Sequence, residues 1–219
     1  MVNCNKNCCG LFLDLDGTLA NSLDAMYRVY DSFLVHFGFQ GNPSEFSKLN
    51  GVQLSKGIAF LKQKYQLTPK DSILQSYYET LIPEAYANVQ PNPGAKTLLE
   101  AATKADIKIA VVTSGTKKQA KSWLELTHLD QHISVIVGGD SVKQGKPHPE
   151  PYLKAMRLIR CHVSHSLAVE DSQIGAQATA AAKIKTFILK QKTTEHLTRE
   201  DWPPVAGFLD RLDDLIDVF

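Results

Sequence analysis

The spacing of hydrophobic positions changes several times along the chain. Leu11 to Leu15 is a short apolar run ending in the acidic turn Asp14-Leu15-Asp16-Gly17-Thr18, and it predicts a buried strand. From Ser22 the period lengthens. Leu23, Met26, Tyr27, Tyr30, Phe33, Leu34 and Phe37 recur at three- and four-residue steps, which predicts an amphipathic helix with an aromatic stripe in its core. Asn21 or Ser22 is expected to cap that helix, and Gly38 with Gly41-Asn42-Pro43 to stop it. Two more helices are expected, about Leu54 to Tyr65 and about Pro69 to Tyr86, with Thr68 as N-cap and Pro69 in the first turn of the second. No strand pattern interrupts Ser22 to Asn88.

Past a turn-rich joint, Gln90-Pro91-Asn92-Pro93-Gly94, helices and strands alternate. A helix near Ala95 to Lys104 leads to a strand, Ile107 to Val112; a helix from Lys117 to Leu126 leads to Ser134 to Val137. A helix from Pro149 to Ile159 leads to Leu167 to Val169, and one from Ile174 to Ala182 leads to Thr186 to Leu189. Apolar strands of this length separated by helices predict a doubly wound, mostly parallel, Rossmann-like α/β sheet covered on both faces. The helical block then reads as an insertion: residues 22–89 within a core of 1–21 and 90–219. A last helix is expected near Phe208 to Val218, after Trp202-Pro203-Pro204.

Composition narrows the function classes. The 219 residues carry 24 Lys plus Arg against 23 Asp plus Glu, a net charge of +1, so nothing points to a nucleic-acid partner. No run approaches the roughly 20 apolar residues of a membrane span, and the apolar stretch near the start is too short for a signal-peptide core. A cytoplasmic protein, monomeric or weakly dimeric, is expected. Cys4, Cys8 and Cys9 crowd together while Cys161 stands far away; this is no disulfide framework, and free thiols on a loose tail are expected. Cys161-His162 with His165 is too sparse for a metal site.

The chemistry gathers at the strand ends. In open α/β sheets the site lies beyond the carboxyl ends of the strands. Those positions carry Asp14 and Asp16, then Thr113-Ser114-Gly115, then Gly145-Lys146-Pro147, then Glu170-Asp171-Ser172. Carboxylates brought so close need compensation, and oxygen-only donors favour Mg2+, which commonly shares a substrate phosphate. Ser114, neighbouring backbone N–H groups and Lys146 suit phosphate oxygens. Asp14 suits a nucleophile that forms an acyl phosphate, and Asp16 a group that protonates the leaving group and then activates water.

These motifs resemble those of the haloacid dehalogenase superfamily: Asp14-Leu15-Asp16-Gly17-Thr18-Leu19 its first motif, Thr113-Ser114-Gly115 its second, Lys146-Pro147-His148-Pro149 its third, and Glu170-Asp171-Ser172-Gln173-Ile174-Gly175 its fourth. The resemblance implies a Mg2+-dependent phosphatase for a small phosphorylated metabolite, phosphoglycolate- or sugar-phosphate-like. It implies Asp14 as nucleophile, Asp16 as acid and base, and Ser114, Gly115 and Lys146 on the phosphoryl group. It implies Mg2+ held by the Asp14 carboxylate, the Asp16 backbone carbonyl and Asp171, with Glu170 in or near the shell. The inserted helices resemble the family's cap, and Phe46 to Gln53 its specificity loop, which makes Lys48, Asn50 and Gly51 candidate substrate contacts. The run Gly139 to Pro151 is similar to phosphoglycolate phosphatases, and Glu170-Asp171-Ser172-Gln173 equally to β-phosphoglucomutase. A sugar-phosphate mutase is the alternative, but such mutases carry a helper histidine where this chain has Met26. A non-catalytic phospho-acceptor module is a remote third reading, disfavoured because its acceptor ends the third strand and lacks a neighbouring acid to release the phosphate.

Overall fold

A computed structural model describes residues 8–195 and 197–219; Cys4 lies outside them. The described residues form a parallel sheet in the order β3-β2-β1-β4-β5-β6. Its strands are β1 (Gly10–Leu13), β2 (Lys108–Val112), β3 (Val135–Val137), β4 (Ser166–Glu170), β5 (Lys185–Leu189) and β6 (Gly207–Leu209). β1 is central, with Leu13 paired to Val111 on one side and Val169 on the other. Strand side chains alternate between faces. Leu11 and Leu13 pack with α5 (Ala95–Lys104) and α6 (Lys117–Leu126), while Phe12 packs with α7 (Glu150–Ile159) and α8 (Gln173–Ala181). Both faces are thus apolar, which is why every strand reads as a short continuous hydrophobic run.

Between β1 and α5 the chain forms α1 (Leu23–His36), α2 (Pro43–Leu49), α3 (Leu54–Tyr65) and α4 (Asp71–Tyr86). The aromatic stripe packs as expected: Tyr30 and Phe33 are fully buried among Leu61, Leu74 and Tyr78. No helix of the described residues is long and apolar enough to cross a membrane.

Several expectations are corrected. Ser22 stands at the N-cap of α1 but does not cap it; its hydroxyl donates to Asp16 Oδ1 at 2.7 Å. The segment read as a loop from Phe46 onward begins inside α2, where Asn42 Oδ1 accepts from the backbone N–H groups of Ser44 and Glu45. α4 starts at Asp71, with Lys70 rather than Thr68 in the capping position. The expected last helix divides: Phe208 belongs to β6, which pairs with β5, and Leu212–Val218 is a 3-10 helix whose Leu212 and Leu215 are buried. Cys8 and Cys9 are not on a loose tail. Cys8 is buried, and Cys9 Sγ lies 2.6 Å from Cys161 Sγ at the end of the sheet away from the acidic motifs.

Candidate active site

The strand ends converge as the motif order predicts. Asp14 follows β1 directly, and its backbone N–H donates to the carbonyl of Val169 on β4. The carboxylate oxygens of Asp14, Glu170 and Asp171 can lie within 4.8 Å of one another, all three residues being buried. The turn after Asp16 depends on Gly17: its φ is +84°, and a Cβ there would fall 2.1 Å from Asp171 Oδ2. Asn92 holds that turn, its amide donating to the carbonyls of Gly17 and Thr18 at 2.9 and 2.7 Å.

Lys146 is 1% exposed, and its ammonium donates to Asp14 Oδ1 and, at 2.6 Å, to Glu170 Oε1. Burial disfavours an ammonium, but the two carboxylates outweigh it and hold Lys146 well above the ordinary lysine range. Glu170 is enclosed. It also accepts from the hydroxyls of Tyr152 and Ser172, and a Cβ on Gly175 would overlap its carboxylate. Asp171 accepts from Thr18 Oγ1 at 3.3 Å and from Asn50 Nδ2 at 3.2 Å.

The acids are not all comfortable as anions. Burial pushes Asp14 well above the usual carboxylate range, against the pull of Lys146. Burial, then the charge of Glu170, pushes Asp171 up to about 7. One lysine faces three clustered carboxylates, so the donor set fits a divalent cation bound through oxygen. Asp16 is outside that cluster. Its carboxylate accepts from Ser22 and from the hydroxyl of Tyr86 on α4, and burial pushes it up to about 6.

The segment joining α2 to α3 lies against these strand ends. Asn50 reaches Asp171, the Gly51 carbonyl accepts from Ser114 Oγ at 2.6 Å, and Gln53 Nε2 donates to the Gly139 carbonyl at 2.7 Å. Between this segment and the strand ends is a cavity of about 100 Å³ that includes Asp14, Asp16, Asn50, Gly51, Ser114 and Gly115 in its wall. The backbone N–H of Gly115 donates to Thr113 Oγ1. Lys48 is not in that wall; it is exposed and borders a separate surface cleft between α2 and the start of α8. His148 is exposed and accepts from the Glu150 N–H.

Tyr86, Asn92 and Tyr152 are partners of site residues that the motif order does not predict. Asn92 alone carries a local signal, a polar residue inside the Pro-Asn-Pro-Gly joint.

A family profile described as haloacid dehalogenase-like hydrolase matches residues 11–189. A phosphorylated carbohydrates phosphatase of Thermotoga maritima is 27% identical over 80% of this chain and 82% of its own length. A phosphoglycolate phosphatase of Cupriavidus necator is 27% identical over 87% of this chain and 84% of its own. Among solved structures, CbbY of Rhodobacter sphaeroides in complex with phosphate superposes with a TM-score of 0.83 at 21% identity, over 95% of this chain and 96% of the other. A β-phosphoglucomutase of Clostridium difficile gives 0.81 at 18% identity, over 95% and 93%.

Proposed function

The chain belongs to the haloacid dehalogenase-like hydrolase family, in its phosphoglycolate phosphatase and β-phosphoglucomutase-like subgroup, and is a phosphoric monoester hydrolase; we propose that it cleaves small phosphorylated metabolites through an aspartyl-phosphate on Asp14, with Mg2+ bound beside it. The observation that carries this reading is that Asp14 and Asp16 share the wall of one cavity while differing in surroundings. Asp14 lies against Lys146 and the acidic cluster, Asp16 against two neutral hydroxyls.

In the proposed reaction an Asp14 oxygen attacks phosphorus and the ester P–O bond breaks. Asp16 gives its proton to the departing alkoxide and then takes one from the water that attacks the acyl phosphate, releasing inorganic phosphate and restoring both acids. Lys146 offsets the charge of Asp14 and Glu170, and Ser114 exchanges its bond to Gly51 for a phosphoryl oxygen. Mg2+, held by Asp14, Asp171 and the Asp16 carbonyl with Glu170 nearby, would neutralise charge on the transferring phosphoryl group. The helices of residues 22–89 act as a cap over a core of 1–21 and 90–219, and the hydrogen bonds that Asn50 and Gln53 donate and the Gly51 carbonyl accepts support that role.

A mutase remains the second reading because a β-phosphoglucomutase shares the fold. The thioether of Met26, which borders the cavity, cannot relay a proton, and this favours hydrolysis. The test is p-nitrophenyl phosphate with Mg2+, with and without chelator, for the wild type and Asp14→Asn. Hydrolysis lost in both the chelated enzyme and the folded variant supports the reading. Near-native turnover by Asp14→Asn overturns it.

A further inference from the structure

The wall of the cavity over Asp14 divides sharply. Asp14, Asp16, Ser114 and Gly115 lie on the strand-end side. On the helical side, α1 to α4 contribute mainly apolar groups, among them Met26, Leu54, Ile58 and Ile82, together with the phenols of Tyr30 and Tyr78. Among the described residues that line it there is no Lys, Arg or His. Two of the polar groups are already engaged: the Asn50 amide donates to Asp171 and the Tyr30 hydroxyl to Glu45. Gln119, at the start of α6, is different. It lines the same cavity, and its Nε2 is buried with no hydrogen-bond partner among the described residues.

The charges nearby are the wrong ones for an anionic substrate tail. Lys146 is committed to Asp14 and Glu170, and Lys48 borders the separate cleft. A carboxylate or second phosphate entering this space would lose its water, meet no cation in the wall, and sit near Asp16. A buried ion without a partner is strongly disfavoured, whereas an alkyl chain gains by leaving water. An uncharged oxygen on the substrate could accept the free Gln119 donor.

We propose that the substrate is the phosphate monoester of an uncharged, largely apolar alcohol, and that esters bearing a second anion are discriminated against. This rests on the phosphatase reading and narrows it, setting phosphoglycolate and sugar bisphosphates outside the preferred class.

Two measurements separate the inference from the reading beneath it. With Mg2+ present, kcat/KM for propyl phosphate exceeds that for phosphoglycolate by about tenfold or more; a ratio at or below one overturns the inference and leaves the phosphatase reading intact. Calorimetric binding of butylphosphonate and 3-phosphonopropanoate, which resemble those two esters but cannot be hydrolysed, decides the same question without turnover. Butylphosphonate binds at least about tenfold more tightly, and equal or reversed affinities overturn the inference. If neither ester nor p-nitrophenyl phosphate is hydrolysed, the phosphatase reading fails while the phosphonates still decide the cavity's preference. Met26→Lys places a cation in the wall and shifts the kcat/KM ratio toward phosphoglycolate. Leu54→Lys serves where the first variant does not fold, and an unchanged ratio in a folded variant overturns the charge argument.

Discussion

The hydroxyl of Tyr86, at the end of α4, donates a hydrogen bond to the carboxylate of Asp16, 70 residues earlier in the chain. The inserted helices therefore hold the proposed acid and base directly. A donor stabilises the carboxylate form, so Tyr86→Phe moves the Asp16 pKa upward. The basic limb of the kcat profile for propyl phosphate shifts to higher pH, and kcat falls several-fold because the carboxylate is less well aimed. A pH profile that superimposes on the wild type would show that Tyr86 only packs.

Asp16→Asn separates substrates by leaving group. An alkoxide needs a proton as it departs, whereas p-nitrophenolate leaves without one. In kcat/KM, which reports the steps up to the acyl phosphate, the variant loses about 10²- to 10⁴-fold on propyl phosphate and much less on p-nitrophenyl phosphate, while kcat falls on both because water attack still lacks its base. Burial raises the Asp16 carboxyl to about 6, so the acid form dominates below that pH and is lost above it. The wild-type kcat/KM for propyl phosphate falls as pH rises through this range, and the fall is absent in Asp16→Asn. Equal losses of kcat/KM on the two substrates would sink the role of Asp16 as proton donor to the leaving group.

Asp171→Asn tests the cation. Mg2+ binding only to the folded protein raises its melting temperature, by an amount set by how far its concentration exceeds Kd. The wild type gains several degrees at millimolar Mg2+. The variant needs about tenfold more Mg2+ or greater for the same gain and for half-maximal activity. Identical Mg2+ titrations for the two proteins would remove Asp171 from the metal site.

Glu45 tests the helical block without touching chemistry. Its carboxylate, at the start of α2, accepts from Tyr30 at 2.5 Å, Tyr65 at 2.8 Å and Lys64. Burial pushes its pKa up, but these donors outweigh it and hold the carboxyl below the ordinary range. A carboxyl lowered by folding contributes stability above its unfolded pKa, and that contribution is lost as pH falls through the folded value. Glu45→Gln therefore costs about 2 kcal/mol at neutral pH, and the gap to wild type closes in acid. Denaturant melts at pH 7 and pH 3 measure it; a gap that is the same at both would exclude the ionised carboxylate as its source.

Much of the architecture was legible because its signals are local. α3, α5 and α6 run as their periodicity predicts, and the strands fall within a residue or two of the apolar runs. α2 was not legible. It has seven residues, too few for a period, and it is held by the Asn42 cap and by Glu45's bonds to side chains of α1 and α3. β6 was not legible either, since three residues become a strand only through pairing, Ile188 with Phe208. Ser22 looked like a cap because its position is right; a carboxylate six residues earlier in the chain competes for the hydroxyl and wins.

The candidate site divides the same way. That Asp14, Ser114, Lys146 and Asp171 meet at one edge follows from the chain alone, because each lies at or just beyond a parallel strand end and the order of strands and helices leaves few ways to wind the sheet. Which oxygen goes to which partner does not follow. Glu170 is enclosed by Lys146, Tyr152 and Ser172, Asp16 turns to Ser22 and Tyr86, and Lys48 falls outside the cavity. Those outcomes depend on desolvation and through-space pairing between groups far apart in the chain, such as Asp14 and Lys146, 132 residues apart. The uncharged helical side of the cavity wall has the same origin. Four helices each contribute apolar side chains that mean only helix core when read along the chain, and only their packing over Asp14 turns them into a surface for substrate.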